Sequence, residues 1–316
     1  MDLIILGAGA VGCVVGTLLE ADGHRVRYLT RATETLPEPF SVERVRGRSV
    51  RSALPTCLGA GEPIGATDWV LVCVRGEQLD AAFAEIRARG ASNCSIAVAA
   101  ISLDNVVERA RRAGLSGTVL AYHVSFGSFR HPDQPQRFTW FPFDVASTVT
   151  PEGDRAALGH ARALAKALDH AGLATHSARS IRPLMAALVA LNSVLALGWA
   201  LCRWDLSRLA ADRQLRTHTC EALRESLHVC AVHERSLRLV ARFLPLGAYA
   251  LAVRVIARFM GPSGREVWRH HGPKISAQTD YVVRDLIARA NAAAIPLRAL
   301  PPLFARWQAS QSQPAP

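Results

Sequence analysis

The sequence predicts an α/β protein, with an N-terminal Rossmann-type doubly wound sheet followed by an all-helical C-terminal domain. Three observations carry this expectation. A short apolar strand over residues 2–6 runs into Gly7-Ala8-Gly9-Ala10-Val11-Gly12, glycines at the spacing G-x-G-x-x-G. Strand-like and helix-like stretches then alternate to about residue 176, the pattern of a parallel sheet covered by helices. Beyond a hinge at residues 177–182, every periodic stretch is helical.

Each glycine has a physical task. Gly7 permits the tight turn out of the strand, Gly9 lets backbone approach a pyrophosphate, and Gly12 lets the next helix pack on the sheet. The free amides at that helix start, with Ala8, Ala10 and Val11 filling the loop, would face the phosphates. The helix covers residues 11–21, Gly23 and His24 end it, and a second strand covers residues 25–29. At its tip stands Thr30-Arg31-Ala32-Thr33, with no carboxylate where a ribose hydroxyl of NAD would be bound. Arg31 suits a 2′-phosphate, so NADP (NADPH) is the expected cofactor.

Residues 40–65 hold short strands that the pattern does not place. The run at residues 69–74 reads as a central parallel strand ending at Arg75, which would face phosphate or substrate. A helix follows over residues 78–89, a strand at 95–98, a helix capped by Asp104, and a strand at 118–122 leading to His123. Residues 138–143 read as a late strand, with Pro142 favouring a sheet edge. Thr150-Pro151-Glu152 is expected to start a helix that runs to His170, and residues 173–176 form the last strand. The helices beyond cover residues 183–202, 212–233, 237–260 and 267–293. The domains are thus expected at residues 1–178 for NADP binding and 179–309 for substrate and dimerisation, with a disordered tail at 310–316.

Half of the 316 residues are hydrophobic, enough for two cores. The seven cysteines show no C-x-x-C pair and suit small buried side chains in a reducing cytoplasm. No charged and apolar leader precedes the first strand, so no secretory signal is expected. The formal charge of +11 comes from arginines spread along the chain, with only Lys166 and Lys274 as lysines, and no nucleic-acid motif accompanies them. Specific nucleic-acid binding is not expected. The uncharged stretch at 183–202 is long enough to span a bilayer, but Pro183, Asn192, Ser193 and Gly198 favour a buried helix. The arginines at 238, 242, 254 and 258 leave membrane-surface contact open, with dimer packing the stronger reading.

The ordered set of the glycine loop, Gly23-His24 with Arg31, Val72-Cys73-Val74-Arg75, Ile181-Arg182 leading to Asn192, and Thr279-Asp280-Tyr281 resembles the ketopantoate reductase (2-dehydropantoate 2-reductase) family. The resemblance implies a Rossmann domain, a helical domain, NADPH, and hydride transfer to a 2-keto acid in the cleft between domains. It also implies a lysine as proton donor on the first helix of the second domain, where this chain has Leu188. Ala100 stands at the family's asparagine, Gln278 at its glutamate, and Ala196 at its second asparagine. Asn192 is the substrate-positioning residue that carries over. Among the histidines able to donate to an oxyanion, His123, His270 and His271, the last is expected to act, because residues 269–272 should border the cleft. The substrate is then a small keto acid, carbonyl or imine compound, with ketopantoate itself doubtful. The alternatives are a catalytically inactive NADPH-binding sensor or scaffold, and an opine or 3-hydroxy-acid type dehydrogenase. No metal is expected.

Overall fold

The computed structural model describes the chain except residues 31–35, 46–49, 60, 66–68, 132, 144, 234–236, 238–248, 250, 252, 256–257, 259–271 and 312–316. It falls into two compact units, Met1–Ile181 and Arg182–Pro316. In the first unit the elements run β1 (Asp2–Leu6), α1 (Ala10–Ala21), β2 (Arg25–Leu29), β3 (Phe40–Arg44), β4 (Val50–Ala53) and β5 (Trp69–Val72). There follow α2 (Leu79–Ala88), β6 (Ser95–Val98), α3 (Val106–Arg112), β7 (Val119–His123), β8 (Phe126–Arg130) and β9 (Arg137–Pro142). The unit closes with β10 (Ser147–Thr150), α4 (Leu158–His170) and β11 (Thr175–Ser177).

Seven strands form one sheet in the order β11-β10-β7-β6-β5-β1-β2. One face is covered through Val14, Leu18, Leu164 and Leu168 of α1 and α4, the other through Phe83, Ile86, Val107 and Ala110 of α2 and α3. This is the doubly wound arrangement expected from alternating strands and helices. A second sheet, β4-β3-β9-β8, contributes Phe40, Val42, Phe138 and Trp140 to the core that contains α1. Sheet residues on both sides explain why α1 buries an unbroken run from Gly12 to Leu19 rather than one stripe.

Three expectations need correction here. Residues 147–150 form a strand, β10, antiparallel to β7, and α4 starts only at Leu158. The reason is local: Glu152 and Gly153 take φ of 47° and 101°, and the Thr150 hydroxyl accepts the Glu152 amide at 3.0 Å, a tight turn incompatible with a helix start. Pro142 does not mark an edge. It is the last residue of β9, an interior strand of the second sheet, where its missing N–H removes little of the ladder. The cap of α3 is Asn105, whose side chain accepts the Val107 and Glu108 amides at 3.1 and 3.4 Å, in place of Asp104.

Among its described residues the second unit is helical: α5 (Arg182–Leu201), α6 (Leu206–Ala211), α7 (Arg213–His233), α8 (Ser276–Ala292) and α9 (Leu300–Gln311). Helix α5 packs chiefly on α7 and also on α8 and α9. It buries Val189, Ala190, Val194 and Leu197, and a side chain at Gly198 would meet the Thr219 hydroxyl at 2.6 Å, so the two backbones approach closely there. By length and composition α5 is also the one described helix able to cross a membrane, with a mean hydropathy of 2.0. The sequence reading passed over α6 and α9, and Ser310 and Gln311 are helical. The expected helix at 237–260 lies largely outside the described residues.

Candidate nucleotide-binding site

β1 is the point where the winding of the large sheet reverses. The chain leaves β1 through α1 to reach β2 on one side, then returns to β5 on the other. In open α/β sheets a crevice opens beyond the carboxyl ends of strands at such a switch point. The registers align Leu29, Leu6, Val72, Val98 and Ala121 across five adjacent strands. Two residues beyond that row come Ala8, Val74, Ala100 and His123, so the glycine loop, Ala100 and His123 share one edge.

The loop is shaped by contacts a side chain would break. Gly7 sits at φ +101°, and a Cβ there would lie 2.6 Å from the Cys73 carbonyl oxygen and 2.8 Å from Val74. A Cβ on Gly12 would lie 2.2 Å from the Gly7 carbonyl oxygen. Gly9 differs: it is exposed and nothing would lie within 4 Å of its Cβ. The Gly7 amide donates to the Leu29 carbonyl at 3.2 Å and the Cys73 amide to the Leu6 carbonyl at 2.7 Å, tying the loop to both neighbouring strands.

Gly9 is the N-cap of α1 and provides no side-chain cap, and no acid lies in the first turn. The first amides of a helix have no intrahelical acceptor and carry the positive end of its dipole. An open, uncapped helix start beside an unobstructed glycine fits a pyrophosphate. Beneath it the thiol of Cys73 is pushed up to about 12 by burial, and burial likewise raises that of Cys13, so neither is a nucleophile at neutral pH.

Arg75 lies at the expected strand end, exposed, with Nε 2.7 Å from Glu77. A residue the sequence reading missed fixes the loop around it. Arg109, mostly buried, pairs both carboxylate oxygens of Asp80 at 2.8 Å and donates to the Gly76 carbonyl at 3.3 Å. That guanidinium holds the Asp80 carboxyl below its usual range. Only the three-dimensional pairing of α3 with the β5–α2 turn singles this arginine out among many. His123 is half-buried, and burial lowers its pKa, favouring the neutral ring.

In the second unit, Leu188 and Asn192 stand one turn apart on α5, Leu188 half-buried and Asn192 exposed, while Ala196 is buried. Gln278 is half-buried on α8, next to the buried Thr279 and an Asp280–Arg284 pair at 2.6 Å. Arg31, His270 and His271 lie outside the described residues. Among the described residues no cluster of His, Cys, Asp or Glu could hold a metal ion.

A glycine loop at the switch point of a doubly wound sheet, followed by a helical unit, places the chain in the class of Rossmann proteins with a helical C-terminal domain. Within that class its relatives are specific. Residues 3–139 match the family model for ketopantoate reductase PanE/ApbA, and the whole chain shares its fold with a solved 2-dehydropantoate 2-reductase from Geobacter metallireducens GS-15. The chain is 20% identical to a PanE/ApbA family ketopantoate reductase from Ralstonia eutropha JMP134, over 98% of each chain, with a TM-score of 0.72. A D-mandelate dehydrogenase solved with NADH and anilino(oxo)acetate matches at 14% identity and a TM-score of 0.75, over 98% of each chain. A dimeric ketopantoate reductase from Staphylococcus aureus matches at 14% and 0.72, over 98% of this chain and 99% of that one. No curated protein matches by sequence.

Proposed function

We propose that the chain is an NADPH-dependent oxidoreductase that reduces a small keto acid, carbonyl or imine compound. The observation that carries the reading is the glycine loop at the switch point, with Gly7 and Gly12 locked by contact and Gly9 open. The amides from Gly7 to Gly12, with Ala8, Ala10 and Val11 between them, would hold the pyrophosphate, and Arg31 the 2′-phosphate. Arg75, Ala100 and Gln278 would line the cofactor. When bound, the reduced nicotinamide supplies a hydride. Asn192 would position the substrate, and His271 would donate the proton to the developing oxyanion. Residues 1–178 serve cofactor binding in this reading, and residues 179–309 bind substrate and pair two copies in a cytoplasmic homodimer. The dimeric relative from Staphylococcus aureus supports that assembly.

Fluorescence titration tests the cofactor assignment. Arg31→Glu is expected to raise the NADPH dissociation constant about tenfold or more while leaving NADH binding within about twofold. Equal NADPH binding by both proteins refutes the assignment.

A second reading, a sensor that binds NADPH without turnover, draws support from Leu188, an aliphatic side chain where the family resemblance puts a proton-donating lysine. NADPH oxidation over a panel of keto acids, ketones and imines separates the two. The panel includes the aryl keto acid corresponding to D-mandelate, because a mandelate dehydrogenase shares the fold. Tight binding with no oxidation across the panel favours the sensor.

A further inference from the structure

One arginine holds two strand-end loops of the first unit at once. The side chain of Arg109, on α3, is 12% exposed. Its Nε and Nη2 meet the two carboxylate oxygens of Asp80, in the first turn of α2, each at 2.8 Å. Its Nη1 donates to the carbonyl of the buried Gly76 at 3.3 Å and lies 3.8 Å from Asp104 Oδ2. Gly76 belongs to the loop after β5. Asp104 belongs to the loop after β6, where its amide donates to the Ser102 hydroxyl at 3.1 Å.

These loops carry Arg75 and Ala100, beyond the same strand ends as the glycine loop. Gly76 separates Arg75 from Glu77, which are paired at 2.7 Å, and the Arg75 amide donates to Gln78 Oε1 at 3.2 Å. A shift of the Gly76 backbone would therefore carry the Arg75 guanidinium with it. Two carboxylates already answer the charge of Arg109, so it fixes geometry rather than attracting phosphate. Asp80 is 73% exposed, and an ion pair open to water adds little to global stability. The fork of three contacts instead sets where the two loops stand.

We infer that Arg109 is a positioning residue for the nicotinamide half of the coenzyme, holding the loops of Arg75 and Ala100 in place through Gly76, Asp80 and Asp104. The inference rests on the NADPH reading above. A dinucleotide lies across the switch point, and with its adenosine at the tip of β2 the other half runs over the ends of β5 and β6.

Calorimetric titration of the full chain with NADPH and with adenosine 2′,5′-bisphosphate, which lacks the nicotinamide half, tests this. Arg109→Met is expected to raise the NADPH dissociation constant about tenfold and to leave that of the bisphosphate within about twofold. Arg109→Lys, with one donor head in place of the planar fork, is expected to fall between Arg109→Met and wild type. Should Arg109→Met fail to fold, Asp80→Asn decides, with NADPH weakened about threefold and the bisphosphate unchanged. Variants that bind NADPH as the wild type does, or that lose both ligands equally, overturn the role of Arg109. A wild type that binds neither ligand overturns the NADPH reading itself.

Discussion

At the scale of single residues, the three loop glycines separate into two physical kinds. Gly7 and Gly12 are filled in by neighbouring backbone, whereas Gly9 faces open space. Alanine should therefore act differently at each. Gly7→Ala forces a β-carbon into the Cys73 carbonyl at an unfavourable φ, and should cost about 2–4 kcal/mol of stability, read by denaturant unfolding. Gly9→Ala should leave stability within about 1 kcal/mol and still weaken NADPH binding about tenfold, because its methyl would stand where the phosphates approach. If both variants lose stability equally, the open face of Gly9 has been misread. The triplet was legible because its spacing is local in sequence. Arg109 was not, because its partners Asp80 and Gly76 are about thirty positions away and nothing near it in sequence distinguishes it.

Among elements, those with a strong apolar signal between turn residues were readable and those without one were not. β1, β2 and β6 were placed at their observed bounds, since apolar runs bounded by turn residues identify themselves. β10 escaped because Ser147-Thr148-Val149-Thr150 has little apolar signal, and its burial comes from lying between β7 and β11. α9 escaped because Pro301 and Pro302 discourage a helix on propensity, yet they occupy its first turn, where a missing N–H costs nothing. The amides there have a partner from another helix: Glu225 of α7 accepts Arg298 and Ala299 through Oε1 at 2.7 and 2.9 Å, and Ala299 and Leu300 through Oε2 at 3.0 and 2.9 Å. Glu225→Ala should cost about 1–2 kcal/mol, with Glu225→Gln intermediate, as measured by urea unfolding. No change in either would mean that solvent serves those amides equally well.

The whole molecule falls into two compact units. The sequence did not foretell the second sheet in the first unit. In that sheet β3 runs beside β9 with Ser41 opposite Arg137, the Arg137–Glu43 pair that ties them spans 94 positions, and no local pattern reports such pairing. The apolar helices of the second unit leave Leu184 and Leu251 more than half exposed, surface that a second copy would cover in the proposed dimer. Sedimentation velocity at micromolar concentration should give twice the chain mass of 34.1 kDa, and a species at that single mass would refute the pairing.

The contact between Gly7 and Cys73 also bears on how the protein is made. The bend of the loop is moulded against a strand end that follows it by more than sixty positions, and the amide of Cys73 closes onto Leu6 only once that strand has docked. A nascent chain emerging amino end first thus carries its glycine loop in an unformed state until β5 has left the ribosome. Under the proposed function, a coenzyme could assist folding only after that moment, by holding shut a mould that is already complete.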